Sequence, residues 1–277
     1  MRVYISADME GATGVVSYSQ VSFDQSEYAD GRKLITNDVN AAIDGAFLGG
    51  ATEVLVNDAH GKMKNIIIED LDPRARLIRG SAKHLCQMAG IDSSFDAAFL
   101  VGYHAMDGTR DGIIDHSLSS VVATSIRING KTCGETGISA SIASHFGVPV
   151  VLVTGDDKVC EEARKSLGDI ETACVKRGMH RFVAECLPPK ETSELIRQSA
   201  CRAVRRAKEI TPQPIQCPVT CEIDLKTKSS IEYATLFPEV QIVAGNTLRF
   251  EAVDMLQAFK MLWGTLLLGG IAADPKR

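Results

Sequence analysis

The sequence predicts an α/β fold, a mainly parallel sheet flanked by helices with a smaller C-terminal α+β domain. Three observations predict it. Apolar runs rich in Val, Ile and Leu recur at residues 3–7, 53–56, 97–101 and 149–154. These runs are continuous rather than alternating, as in strands covered on both faces, and helical segments lie between several of them, which implies right-handed crossovers. After Pro188-Pro189 the pattern shifts, so residues 1–189 are expected to form the larger domain and residues 190–277 the smaller one.

The elements follow in chain order. Residues 3–7 form the first strand. Ile35, Val39, Ile43 and Phe47 recur every four residues, placing them on one helix face, and Gly49-Gly50 supplies the stop before the strand at 53–56. Residues 97–101 form a third strand. In residues 121–128, Val122, Thr124, Ile126 and Ile128 share one face and Asn129-Gly130 makes a tight turn, which reads as an edge or antiparallel addition. Residues 134–146 form a helix with an apolar stripe of Ile138, Ile142 and Phe146, followed by the strand at 149–154.

A long charged helix is expected over 191–209, with Arg202, Arg205, Arg206 and Lys208 as its solvated face. Proline-rich punctuation at 211–218 precedes a strand at 219–225. In the last helix, Val253, Leu256, Phe259, Trp263, Leu266 and Leu267 have helical spacing and are read as core packing.

Composition narrows the function. Thirty Lys and Arg against 35 Asp and Glu give a net charge of -5, which argues against nucleic acid or an anionic membrane as partner. The eight cysteines contain no C-x-x-C pair and are read as reduced, buried small hydrophobes. The N-terminal residues reach Asp8 and Glu10 before an apolar leader could form, and the apolar stretch at 261–273 is short for a membrane span. A cytoplasmic location is expected.

In open parallel sheets, ligands bind beyond the carboxyl ends of the strands. Three of the four runs end in metal-ligating residues: Asp8 and Glu10 after the first, His60 after the second, His104 after the third. If the first strand continues, Asp8 and Glu10 point the same way with Met9 opposite, and their mutual repulsion is relieved by a cation between them. Glu135 lies in the first turn of its helix on the inward face, where a buried carboxylate needs a partner and the helix dipole favours its ionised form. Mixed carboxylate and imidazole donors suit zinc better than magnesium or calcium, with manganese, cobalt or iron also open. Five ligands exceed one catalytic zinc, so with Asp8 bridging they divide between two ions, which implies a hydrolase.

Other residues have bounded roles. His116 follows Asp115 and precedes Ser117, but adjacency is not a serine-hydrolase triad; beside a metal it would stabilise an oxyanion or move a proton. Residues 10–14 lack the Lys-Ser/Thr of a phosphate loop, and their glycines let the chain pass close to the site. Asp156 reads as a helix N-cap and Asp58 as a residue orienting a ligand. His84, His145 and His180 lack a comparable setting.

The motifs Ser6-x-Asp8-x-Glu10-Gly11, Asn57-Asp58-x-His60, Gly102-Tyr103-His104, His116-Ser117 and Gly134-Glu135-x-Gly137 together resemble the DppA-type zinc D-aminopeptidases, peptidase family M55, over essentially the whole chain. The resemblance implies two zinc ions per subunit held by Asp8, Glu10, His60, His104 and Glu135, with His116 as the catalytic residue. It implies removal of an N-terminal D-amino acid from short peptides through metal-activated water, and a ring-shaped homodecamer. Asp115 and Cys133 are the positions where the family pattern is not evidently kept. Other readings are a different binuclear metallohydrolase, an amidase or phosphoesterase, and a non-catalytic peptide-binding module with a structural metal.

Overall fold

The apolar runs lie side by side as parallel strands. The computed structural model describes residues 1–273, in the order β1 (Arg2–Ala7), α1 (Tyr18–Val21), α2 (Tyr28–Gly49), β2 (Glu53–Asp58), β3 (Ala75–Ile78), β4 (Ala97–Tyr103), β5 (Ala123–Ile128), β6 (Lys131–Thr132) and α3 (Glu135–His145). There follow β7 (Val150–Asp156), α4 (Asp157–Leu167), β8 (Glu171–His180), β9 (Val183–Cys186), α5 (Pro189–Arg206), β10 (Val219–Leu225), α6 (Lys228–Ala234), β11 (Gln241–Ala244), β12 (Thr247–Ala252) and α7 (Met255–Ala273).

The main sheet has seven strands in the order β3-β2-β1-β4-β7-β8-β9. All its pairings are parallel except β8 with β9. It is buried on both faces, which explains the unbroken apolar runs: Val3, Ile5, Phe99 and Val101 join one core, while Tyr4, Ala98 and Leu100 join the other. On the first side α5 packs against α2, along a seam where Gly45 and Gly49 of α2 leave room only for backbone. A Cβ on Gly45 would lie 2.1 Å from the Arg197 carbonyl oxygen. The α2 stop is as expected, with Gly50 left-handed at φ 109°.

A second, antiparallel sheet runs β11-β12-β10-β5-β6. Its strands come from both sides of residue 189, with Ile126 of β5 opposite Ile223 of β10. Asn129 and Gly130 have φ of 50° and 75°, the left-handed pair of a type I′ hairpin turn. The expected alternation over 121–128 holds only in part. The β5–β10 register shifts beside Leu225, and Thr124 faces solvent.

Three other expectations are corrected and a fourth is extended. The buried face of α7 is Met255, Ala258, Phe259, Leu262 and Leu266, whereas Val253 and Leu267 are exposed. The helix also begins before the 261–273 stretch, and its window Met255–Ala272 is long and apolar enough to cross a membrane by length and composition, although its buried face packs in the core shared with the second sheet. Among the cysteines, Cys86, Cys160, Cys201 and Cys221 are buried, but Cys186 and Cys217 are exposed. The basic cluster of α5 is anchored as well as solvated, with Arg202 and Arg206 both paired to Glu171.

Candidate metal centre

Three adjacent strands deliver the acids and imidazoles. Ala7 lies opposite Asp58 of β2 and Val101 of β4, so the residues just past each strand emerge together. Ladder-like bonds continue beyond the strands, from Asp8 N to Val101 O and from Ala59 N to Ala7 O, both 2.8 Å. The extended Asp8–Glu10 segment expected from the sequence is instead a turn. Ala12 N donates to Met9 O, Gly11 N donates to Gly102 O, and Met9 points into the core.

Two glycines permit this turn. A Cβ on Gly11 would sit 1.7 Å from the Tyr103 carbonyl oxygen, and one on Gly102, at φ 73°, would sit 2.4 Å from the Asp8 carbonyl oxygen. The first turn of α3 then brings Glu135 in from the side, and the loop after β4 brings His116.

All six singled-out residues meet. His60 Nδ1 lies 3.1 Å from Asp8 Oδ1 and 3.0 Å from Glu10 Oε2. His104 Nε2 lies 3.5 Å from Asp8 Oδ2 and 3.3 Å from Glu135 Oε1, and His116 Nε2 lies 3.5 Å from the same Glu135 oxygen. Donor atoms of Asp8, Glu10 and His104 fall within 4.8 Å of one another, as do those of His104, His116 and Glu135.

Each imidazole is held from behind. His60 Nε2 donates to Val21 O at 2.8 Å, His104 Nδ1 to Ala105 O at 3.0 Å and His116 Nδ1 to Ile114 O at 2.9 Å. Once a cation displaces their second protons, the opposite nitrogens of His60 and His104 would turn lone pairs toward the acids. Asp8 Oδ2, Glu10 Oε2 and His104 Nε2 are buried without a hydrogen-bond partner. Buried polar atoms are costly to leave unpaired, and these converge on one point. The donor set, three carboxylates and imidazole nitrogens, fits zinc.

The charges are strained without a cation. Burial and the neighbouring Glu10 charge push Asp8 up to about 7. Burial also opposes ionised Glu10 and Glu135, but the charges of His60 and His104 prevail and hold Glu10 well below the carboxylate range and Glu135 at about 2. Burial disfavours protonated His60 and His104, yet Glu10 and Glu135 respectively raise both well above the usual imidazole value. Burial, then the charge of His104, lowers His116.

An outer layer fixes the loops. Lys176 of β8, fully buried, donates to the carbonyl oxygens of Glu10, Ala12 and Val15 at 2.5–2.8 Å. Asp38 of α2 accepts from Thr13 N and Oγ1, both 2.8 Å. Asp58 does not touch the His60 ring; it accepts from Asn65 N and Nδ2 and Ile66 N, and so shapes the loop that carries His60. Asp156 caps α4 through Val159 N and also accepts from Ile113 N. Asp115 accepts from Gly108 N and pairs with Arg181, steadying the loop of His116. Cys133 donates to Lys131 O rather than meeting the centre, and His84, His145 and His180 are exposed elsewhere.

Sequence reasoning missed Gln87, whose Nε2 donates to Glu135 Oε2, and Lys176. The only sequence signal for Lys176 is a cation inside a half-apolar strand. The acids and His60 and His116 line a cavity of about 300 Å³ that also touches Tyr18, Met63, Leu118 and Trp263. A cavity of similar volume behind α3, touching Cys133, Glu162 and Ile215, holds one carboxylate and no histidine.

A family model described as Peptidase_M55, D-aminopeptidase, matches residues 1–264. A D-aminopeptidase of Bacillus subtilis (strain 168) is 36% identical over 264 residues, 95% of each chain. A solved structure, the Zn-dependent D-aminopeptidase DppA from Bacillus subtilis, described as a self-compartmentalizing protease, is 34% identical with a TM-score of 0.95 over 98% of both chains.

Proposed function

Since this chain belongs to the D-aminopeptidase family, peptidase family M55, we propose that it is a binuclear zinc aminopeptidase that removes an N-terminal D-amino acid from short peptides. Asp8, Glu10, His60, His104 and Glu135 would hold two zinc ions. The observation that carries this reading is the convergence of the unpartnered Asp8 Oδ2, Glu10 Oε2 and His104 Nε2 while each imidazole is tied behind to a backbone carbonyl. Bound zinc supplies a lowered water pKa and a polarised peptide carbonyl.

The protein's own groups do the rest. His116 presents Nε2 to the cavity with Nδ1–H tied to Ile114 O, and its lowered pKa keeps it neutral near pH 7. It can take a proton at Nε2 from the attacking water and return it to the leaving amine. Met63, Leu118 and Trp263 give the cavity an apolar wall against which apolar substrate side chains can pack.

We also propose a ring-shaped homo-oligomer and a cytoplasmic location. DppA is described as self-compartmentalizing. Here Leu236, Ile242, Val253 and Leu267 expose large apolar side chains that an interface would cover. Free thiols at all eight cysteines suit a reducing compartment. A metal-binding catalytic domain at 1–189 and a smaller α+β domain at 190–277 are likewise proposed: every proposed ligand lies in the first, and among the described residues Trp263 alone reaches the cavity from the second.

The test is metal analysis of purified protein together with hydrolysis of D-alanyl and L-alanyl p-nitroanilides. Two zinc equivalents and faster D-alanyl turnover, lost on chelation and restored by zinc, are expected. Full activity of the metal-free protein would overturn the reading.

A further inference from the structure

Gln87 lies in a short 3-10 turn, Cys86–Met88, between β3 and β4. Its backbone is pinned: the carbonyl accepts from Ser6 Oγ at 2.6 Å and Asn57 Nδ2 at 2.7 Å. The residue is 5% exposed, and it lines the cavity of the metal centre. There Nε2 donates to Glu135 Oε2, which fixes the amide's orientation, since the reverse would set two acceptors against each other. Oε1 is consequently an acceptor, and it is buried with no partner.

Four donors of the metal centre are engaged with other acceptors. The outward nitrogens of His60, His104 and His116 serve backbone carbonyls, and Leu118 N serves Glu135 Oε1. A buried carbonyl that lines a cavity takes its hydrogen bond from water when the cavity is free and from a donor of the ligand when it is filled. Resting on the reading of this site as an aminopeptidase, we propose that Gln87 Oε1 accepts a hydrogen bond from the substrate's terminal ammonium group. It thereby sets the distance from that group to the scissile bond. A neutral carbonyl suits this role because three carboxylates already crowd the centre, and a fourth charge would add to their repulsion. Ligand charge and hydrogen bonding are thus separated, with the acids assigned to the metals and the amide to the amine.

The experiment compares D-alanine with propanoate, which differs from it in lacking the amine, on the zinc-loaded enzyme. Binding is read by the fluorescence of Trp263, the single tryptophan, which lines the same cavity. The wild type should prefer D-alanine by roughly tenfold or more, the scale of one hydrogen bond to a charged group. Gln87→Met should abolish that preference while propanoate binds within about threefold of wild type. Each ratio comes from one preparation, so partial zinc loading does not alter it. If Gln87→Met does not fold, Gln87→Asn, which withdraws the amide by one methylene, should show the same loss. Preference for D-alanine retained in the variant would overturn the assignment of Gln87 alone. Failure of wild type to bind either ligand, with no hydrolysis of D-alanyl anilides, would overturn the aminopeptidase reading and this inference with it.

Discussion

The rings of His104 and His116 stack face to face, with centroids 4.1 Å apart and planes 11° from parallel. Both direct Nε2 toward Glu135 Oε1, yet only His104 also reaches Asp8. The pair therefore divides into a residue central to the acids and one at their margin, nearer the cavity.

That division is testable by substitution. His104→Ala should cost metal and turnover together, with metal affinity falling by more than the ~100-fold typical of outer partners. His116→Ala should keep its zinc and lose turnover by about 10²–10⁴-fold, the range of a positioned proton carrier. Metal content by plasma mass spectrometry beside kcat separates the two. Equal metal loss in both variants would contradict the division.

Metal affinity should rise with pH. In the metal-free protein, His60 and His104 are raised well above the usual imidazole value and Asp8 to about 7, so at neutral pH the centre holds protons that a cation must displace. Each displaced proton makes affinity increase by roughly tenfold per pH unit while its group remains protonated. Zinc competition against a chelator at pH 6, 7 and 8 measures the slope. A flat profile after correction for the chelator would count against proton displacement.

Lys176→Met should loosen the turn that carries Glu10. The substitution leaves three buried carbonyls without their shared donor, and a loss of about 2–4 kcal/mol is expected. Chemical denaturation gives the stability change, and the zinc content of the folded fraction gives the effect on the centre. Unchanged stability and zinc binding would overturn the role given to Lys176.

Gly102→Ala tests the close approach between β4 and the Asp8 turn. The new methyl would meet the Asp8 carbonyl at a left-handed backbone position, so both strain and displacement are expected. We expect destabilisation of about 2 kcal/mol or more and weaker zinc binding. Gly50→Ala, also left-handed but with nothing near its Cβ, should destabilise the protein without changing zinc affinity. Thermal melts with and without zinc compare the two.

The strand ends were legible because continuous Val and Ile runs fix where each strand stops, which put Asp8, His60 and His104 on one edge. Glu135 was legible from its place on the Ile138–Ile142 face. The turn at Asp8–Glu10 was not, because its bonds run to Gly102 on a distant strand. Gln87 and Lys176 escaped notice for a related reason: a polar residue's burial depends on tertiary neighbours that local periodicity does not encode. The short β3 and the half-exposed β8–β9 hairpin carry too little apolar alternation to stand out.

The pairing of β5 with β10 also bears on synthesis. Every proposed ligand and β5 itself leave the ribosome before β10 exists, so the nascent chain presents an open sheet margin until its partner arrives. A fragment halted at residue 189 would keep that raw border permanently and be prone to stick to its neighbours, whatever metal it had gathered.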